Sequence, residues 1–495
     1  MTNTYETLVQ KFGGNLRETN MQDTDYKDKK VYWLEFNGAS CPICGHSNWC
    51  MVNVTGTKVI CQRVANDHKL PNLGGYLYKL DDSYRVNFDE KNYRVANTFK
   101  KAPDSILDLL YRSVLLAYPL LDKHRAALHN RGLDDEMLNL HKDRGFGSFY
   151  TTRKEANLDD SVAPLFSQMQ LGKANGEYTI NNIWQNVLDN LQKQTNDSKY
   201  NKDLWQGVPG FSMKSFSIPN STQVFSGPVF KAPVGGLLVP YYNILNELVG
   251  FQSRVDNVSL WAKVTKPLPG ANIQVMIDSK TREYTVTIIG RKHTAGVKIA
   301  SGIASSNIVD LSYGGVPYQF EVVEGGKYFW VSSSKDEGGA TGKMPIQVAY
   351  NPFIAKLDPT HPDDRKKIKD YIAKPKSVWL TEGGLKGFIT SAYLAKTFSD
   401  TKLDEVGRDV LAVAGVNSYR HFLPILKKLN VTTVTTAYDM DFQSNEQVKA
   451  NYKNLISMLR ENGFKVRIAN WDGDKAKGID DALVQKLEIN FAEVN

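Results

Sequence analysis

Cysteine is scarce in this chain of 495 residues: there are four, and all lie between Cys41 and Cys61. A framework of disulfides spread through the fold is thereby excluded, and bunching of this kind points to metal. Long apolar runs are missing as well, with no stretch of the length a membrane-spanning helix needs. The opening residues, MTNTYETLVQKF, lack the basic start and apolar run of a secretory leader, so cytoplasmic residence and no membrane partner are expected. No internal repeat and no long low-complexity segment occurs. Charge of one sign is not in large excess: 61 Lys and Arg against 53 Asp and Glu leave a net +8. That balance permits a polyanionic partner without demanding one. A phosphate-cradling loop is absent too. EGGATGKM, residues 337–344, has its first glycine displaced and Met344 where Ser or Thr would bind Mg²⁺, so no helicase or ATPase motor is encoded.

The length calls for three or four domains. Residues 1–85 hold the cysteines between short alternating segments, VYWLEF and KVICQRV, that read as strands. Residues 86–205 read as helical: Leu107, Leu110, Val114, Leu115 and Tyr118 recur at helix-face spacing, Gly132 is a stop, and the polar stretch near 195–203 is a loop. Residues 206–370 turn to strands and glycine-rich turns, as in GGLLVPYY, ELVGFQSRV and EYTVTIIG, the last followed by a basic RKH run. From 371 to 495 strands and amphipathic helices alternate, the signature of an α/β domain with a mainly parallel sheet. The expected fold class is multidomain α/β, α+β overall.

Cys41-Pro-Ile-Cys44-Gly45 is a zinc knuckle, because a tight turn after CxxC lets both thiolates face one ion. Cys50 and Cys61 complete a tetrahedral set; His46 could replace Cys50, and His68 is a more distant candidate. The alternative is four free cysteines packed on small strands. A closed site of this kind holds a ribbon together and does not catalyse. Trp49, Lys58 and Arg63 stand where they could stack on or contact a single strand.

Three acidic motifs follow strand-like segments: Glu382 in TEGGLKG, Asp439 and Asp441 in YDMD, and Asp480 with Asp481 in KGIDD. The C-terminal edge of a parallel sheet is where α/β folds gather their sites. In D-x-D the two carboxylates share one side. Oxygen ligands of this type suit Mg²⁺ or Mn²⁺, which would hold phosphates during phosphoryl transfer, with a glutamate as ligand or general base. Any one of these acids alone reads as a solvated loop charge; the ordered set does not.

The succession TEGGLKG, AVAG, YDMD, KGIDD over residues 371–490 resembles the Toprim domain of bacterial primases, topoisomerases, some nucleases and recombination proteins. The resemblance implies that Glu382, Asp439 and Asp441 bind the catalytic metals and that Asp480 holds the third acidic position. One departure stands out: the residue four after the glutamate, commonly Asp in replicative primases, is Lys386, which becomes a phosphate contact instead of a ligand. LLVPYYNILNELVGFQSR and KYFWVSSSK resemble two further primase segments and make Arg254 and Lys327 candidates for gripping template or triphosphate, with an insertion between them. Lys477, which opens KGIDD, and Arg63 join the same class.

Ribbon, basic subdomain and Toprim in that order resemble the bacterial DnaG-like primases. CPICGHSNWC, ICQR and LHNRGL are similar to those of phages, plasmids and integrative elements. What this implies is synthesis of short primers on a single-stranded DNA template from NTPs or dNTPs, with structural zinc and catalytic Mg²⁺ or Mn²⁺. Little chain follows KGIDD, so a replicative helicase would be a separate partner docking elsewhere. A Toprim nuclease and a non-catalytic DNA-binding mediator of replication or recombination remain alternatives.

Overall fold

The computed structural model describes residues 4–13, 16–24, 30–37, 39–47, 49–70, 75–85, 99–150, 168–174, 177–195, 203–217, 224–232, 235–289, 296–334, 336–340, 346–440 and 446–494. Asp441, Met344, the basic run at 291–293 and most of the polar stretch at 195–203 lie outside them. The fold is mixed α/β and forms two compact units, each made of two separated stretches: 1–97 with 257–327, and 98–256 with 328–495. Among the described residues no helix is long and apolar enough to cross a membrane.

In the first unit, five antiparallel strands follow one another in chain order: Leu16–Thr24, Lys30–Phe36, Met51–Asn53, Lys58–Cys61 and Tyr76–Lys79. Leu34, Phe36, Val52 and Val59 make its core together with the cysteines. The segment between Arg254 and Lys327 joins this unit, not the strands that flank it in sequence. It forms two three-stranded antiparallel sheets, Leu260–Lys266 with Val316–Glu324 and Ile308–Tyr313, and Asn272–Ile277 with Glu283–Ile289 and Val297–Ile303. Their inward residues Ala262, Val264, Val275, Val286 and Phe320 bury one core with Ala65 and Tyr76. Both units are discontinuous in sequence, joined by apolar faces that find each other across the chain.

The second unit begins with the helix Asp104–Ala117, which buries Leu107, Leu110, Tyr111, Val114 and Leu115 as their spacing anticipates. It stops one residue before the expected run does. Pro119 has no N–H to donate and keeps Tyr118 out of the helical region (φ −126°, ψ 69°). A second helix, Asp122–His129, follows. The stretch read as helical also contains the strands Gly147–Phe149, Met169–Ala174 and Glu177–Asn182. The first of these edges an antiparallel sheet with Gly236–Tyr242, Leu248–Val255 and Tyr328–Trp330.

The C-terminal sheet has the order Gln347–Ala349, Asp409–Val413, Lys376–Glu382, Val431–Thr436, Lys465–Asn470, Asn490–Val494. Its inner four strands are parallel and its two edges antiparallel. From Lys376–Glu382 the chain goes first to one neighbour and then crosses to the other. That reversal creates a switch point, where a crevice opens at the carboxyl ends of the strands. Strands covered on both faces need apolar residues throughout, and VWL at 378–380 is fully buried. Trp379, 0% exposed, donates its Nε1 proton to the carbonyl of Gly407 at 3.0 Å. Trp379→Ala leaves a cavity at the centre of this sheet and is expected to cost about 3–5 kcal/mol, read as a lower urea midpoint.

Candidate functional site

The knuckle is closed by backbone. Gly45 N–H donates to Cys41 O at 2.8 Å, and Cys41 N–H to His46 O at 2.8 Å. Gly45 itself stands at φ 74°, where a side chain would be strained. All four sulfurs, buried, lie within 4.8 Å of one another, with Cys44 and Cys50 3.6 Å apart and Cys50 and Cys61 3.8 Å apart. Tetrahedral zinc with Zn–S bonds of about 2.3 Å places sulfurs about 3.8 Å apart, so the set fits that ion. His46 turns its Nδ1 to Cys44 O at 2.9 Å, and the four-donor cluster is made of the cysteines alone. Val64 N–H and Gln62 N–H point at the sulfurs of Cys61 and Cys50 (3.3 and 3.4 Å), and the Arg63 guanidinium at Cys50 (3.7 Å). Donors of this kind stabilise thiolate charge. Hydrogen bonds from Cys41, Cys50 and Cys61 hold the Cys44 thiol far below its ordinary range, while burial pushes those of Cys41 and Cys61 up.

The acidic edge lies at the switch point. Glu382 ends its strand, and the next two positions require glycine for separate reasons. Gly383 has φ 83°, and a Cβ on Gly384 would stand 2.4 Å from the Tyr241 ring. Asp439 follows the neighbouring strand. Ala437 N–H donates to Leu380 O and Thr381 Oγ1 to Ala437 O, both at 2.8 Å, which locks the two strand ends together. Asp480, 1% exposed at the start of the helix Ile479–Val484, pairs through one oxygen with Arg131; its other oxygen is buried without a hydrogen-bond partner. That oxygen, Lys386 Cε and Asp439 Oδ1 lie 2.5, 3.3 and 3.4 Å from where a Cβ on Gly478 would stand, so only a glycine leaves them room there.

Lys386 forms an ion pair with Asp439, and Lys477 Nζ lies 3.8 Å from the other oxygen of that carboxylate. The Lys386 ammonium rests on the Asp439 carboxylate, one helical turn on from Glu382. Beside it a cavity of about 280 Å³ is lined by Arg131, Gln252, Tyr328, Glu382 and Lys386. Hard oxygen donors with an orphaned buried oxygen among them fit a divalent cation. Among the described residues, however, only the four thiols form a ready cluster of three or more metal-type donors.

The remaining candidates are dispersed. Arg254 lies two residues past Gln252 on the same strand face and does not line the cavity. Lys327 is exposed and pairs with Glu324 at 3.1 Å. Arg131, Gln252 and Tyr328 were not singled out by the sequence. The available signal for Arg131 was an arginine directly before the glycine that stops a helix, Gly132 at φ 90°.

A family model described as a domain of unknown function (DUF3854) matches residues 403–489, the stretch with Asp439 and Asp480 but not Glu382 or the cysteines. A search of curated proteins finds no match. Among solved structures, the crystal structure of the Aquifex aeolicus primase (zinc-binding and RNA polymerase domains) aligns over 99% of this chain and 87% of that one, at 10% identity and a TM-score of 0.32. So loose a superposition carries no argument about this chain.

Purified protein is expected to carry one zinc ion per chain by elemental analysis, lost in Cys44→Ser and kept in Glu382→Ala. Binding zinc must expel the protons of the Cys41 and Cys61 thiols, whose affinity for protons is raised. Zinc affinity therefore falls as pH falls, measurable by chelator competition.

Proposed function

We propose that the protein is a DNA primase, copying single-stranded DNA into short primers by nucleotidyl transfer at the acidic edge. The observation that carries this reading is that Glu382 and Asp439 follow the same edge of two adjacent parallel strands, beside a cavity lined by Glu382 and two cations, Arg131 and Lys386. It is supported by the motif order that resembles the Toprim domain and by four thiols placed to hold zinc.

In this reading Glu382, Asp439 and Asp441 would hold Mg²⁺ or Mn²⁺, which supplies charge stabilisation to the phosphates during in-line transfer. Arg131 and Lys386 draw the triphosphate into the cavity, and Gln252 and Tyr328 form its wall. Arg254 and Lys477 add positive charge toward template and nucleotide, and Lys327 is a further candidate contact by resemblance alone. Asp480 orients Arg131 through their ion pair. The nucleophile is the 3′-hydroxyl of the first nucleotide, so no nucleophilic side chain is needed; Glu382 serves as ligand or accepts that hydroxyl's proton. Residence in the cytoplasm, service to a phage, plasmid or integrative element, and a separate replicative helicase complete the reading by resemblance.

Incubation with single-stranded DNA, labelled NTPs or dNTPs, and Mg²⁺ or Mn²⁺ is expected to give short labelled products. Glu382→Ala and Asp439→Ala should each lower the yield by about 100-fold or more. Intact template without product across several sequences would favour the DNA-binding mediator, and a shortened template a nuclease. Lys386→Ala removes a cation that competes for Asp439. It should tighten Mn²⁺ binding several-fold in a spin-resonance titration while lowering primer yield.

A further inference from the structure

The inserted stretch 257–327 has no part in the acidic edge, yet it is built against the metal knuckle. Along Leu260–Lys266 and Asn272–Ile277 the inward residues Ala262, Val264, Ile273 and Val275 are buried, while Trp261, Lys263, Gln274 and Met276 face outward. The outward face meets the knuckle directly. Gln274 Nε2 donates to Cys44 O at 2.8 Å, and Val64 and Gln274 form a β-bridge. The same strands accept from Ala65 N–H at Ile273 O (3.2 Å) and from Tyr76 Oη at Val264 O (2.7 Å).

Between the two lies Trp49. It sits at φ 73°, a left-handed conformation rare for a bulky residue, and its N–H donates to the Glu35 carboxylate at 3.0 Å. The residue is 44% exposed, and its ring stacks on Trp261, with centroids 6.0 Å apart and planes at 28°. These two rings open onto a cavity of about 260 Å³ whose other walls include His46, Arg63, Leu260 and Met276. The left-handed backbone holds this tryptophan out over an aromatic partner contributed by another part of the chain. Two indole faces over an aliphatic floor, with a guanidinium in the wall and Lys263 on the same strand face as Trp261, make a surface for a flat π-system bearing a nearby negative charge. An apolar peptide side chain would use the rings without needing Arg63 or Lys263.

We infer that this cavity binds one unpaired nucleobase of single-stranded DNA, stacked on Trp49 and Trp261, with its phosphate toward Arg63 and Lys263. Knuckle and insertion thus form a single template-reading pocket. The inference rests on the reading that the protein works on single-stranded DNA, and it assigns the insertion a role in holding that strand.

The test is binding of a fluorescent oligodeoxythymidine to the full-length, zinc-loaded protein, read by anisotropy without nucleotides or Mg²⁺. Trp49→Ala and Trp261→Ala should each weaken binding by roughly 5- to 100-fold, the loss of one stacked base, and Trp261→Phe should retain most of it. Met276→Glu alters only an exposed floor residue and puts a negative charge in the cavity; it should weaken binding with zinc content unchanged. In primer synthesis these variants should raise the template concentration for half-maximal rate and leave the rate at saturating template unaltered. Wild-type affinity in zinc-replete Trp261→Ala and Met276→Glu would overturn the inference. So would absence of single-strand binding by the wild type, which would turn the cavity into a seat for a protein partner. Tryptophan-dependent binding without any primer synthesis would leave the pocket standing and remove the primase reading.

Discussion

The hydrogen bonding of the strand Lys376–Glu382 to a parallel neighbour on each side is the constraint from which the acidic edge follows. Parallel pairing brings carboxyl ends to a common edge, so Glu382 and Asp439 become neighbours although more than fifty residues of chain separate them. The Thr381 hydroxyl and the Ala437 N–H then pin the two ends to each other. Everything that gathers there depends on that register, including Lys386 one helical turn after Glu382, Lys477 in the loop before the last helix, and Gly478 with Asp480 behind it. A slip of one residue would turn Glu382 into the sheet's covered face.

The first unit answers a different shortage. A ribbon of short strands cannot bury enough apolar surface to hold itself, and it has two supports in place of a large core. One is the four-thiol site, in which buried sulfurs receive backbone N–H donors from Gln62 and Val64. The other is the stretch 257–327, whose apolar faces close over Ala65 and Tyr76. The thiol site and the insertion both bear on the segment that follows Lys58–Cys61: Val64 N–H points at the Cys61 sulfur, and Val64 bridges Gln274.

Charge at the acidic edge is nearly balanced by neighbours from distant sequence. Asp480 is too buried to stand alone and takes Arg131; Asp439 takes Lys386 and lies near Lys477. The cavity beside them carries both signs of charge, Glu382 against Arg131 and Lys386.

Much of this was readable without coordinates wherever the information is local. CxxCG specifies a knuckle because two thiolates and a tight turn need only five consecutive residues. Alternation in KVYWLEF and EYTVTIIG specifies strands, and the 3.6 period from Leu107 to Leu115 a helix, because side-chain direction repeats with backbone geometry. The glycines after Glu382 and the acids after strand-like runs mark a sheet edge by the same logic. Tertiary structure alone decided which surfaces meet: residues 257–327 with the ribbon, Trp261 with Trp49, Arg131 with Asp480, and Lys386 with Asp439. Those pairings rest on complementary apolar faces and charges brought together across long stretches of chain, and no periodicity within a window of sequence encodes a partner that lies outside it.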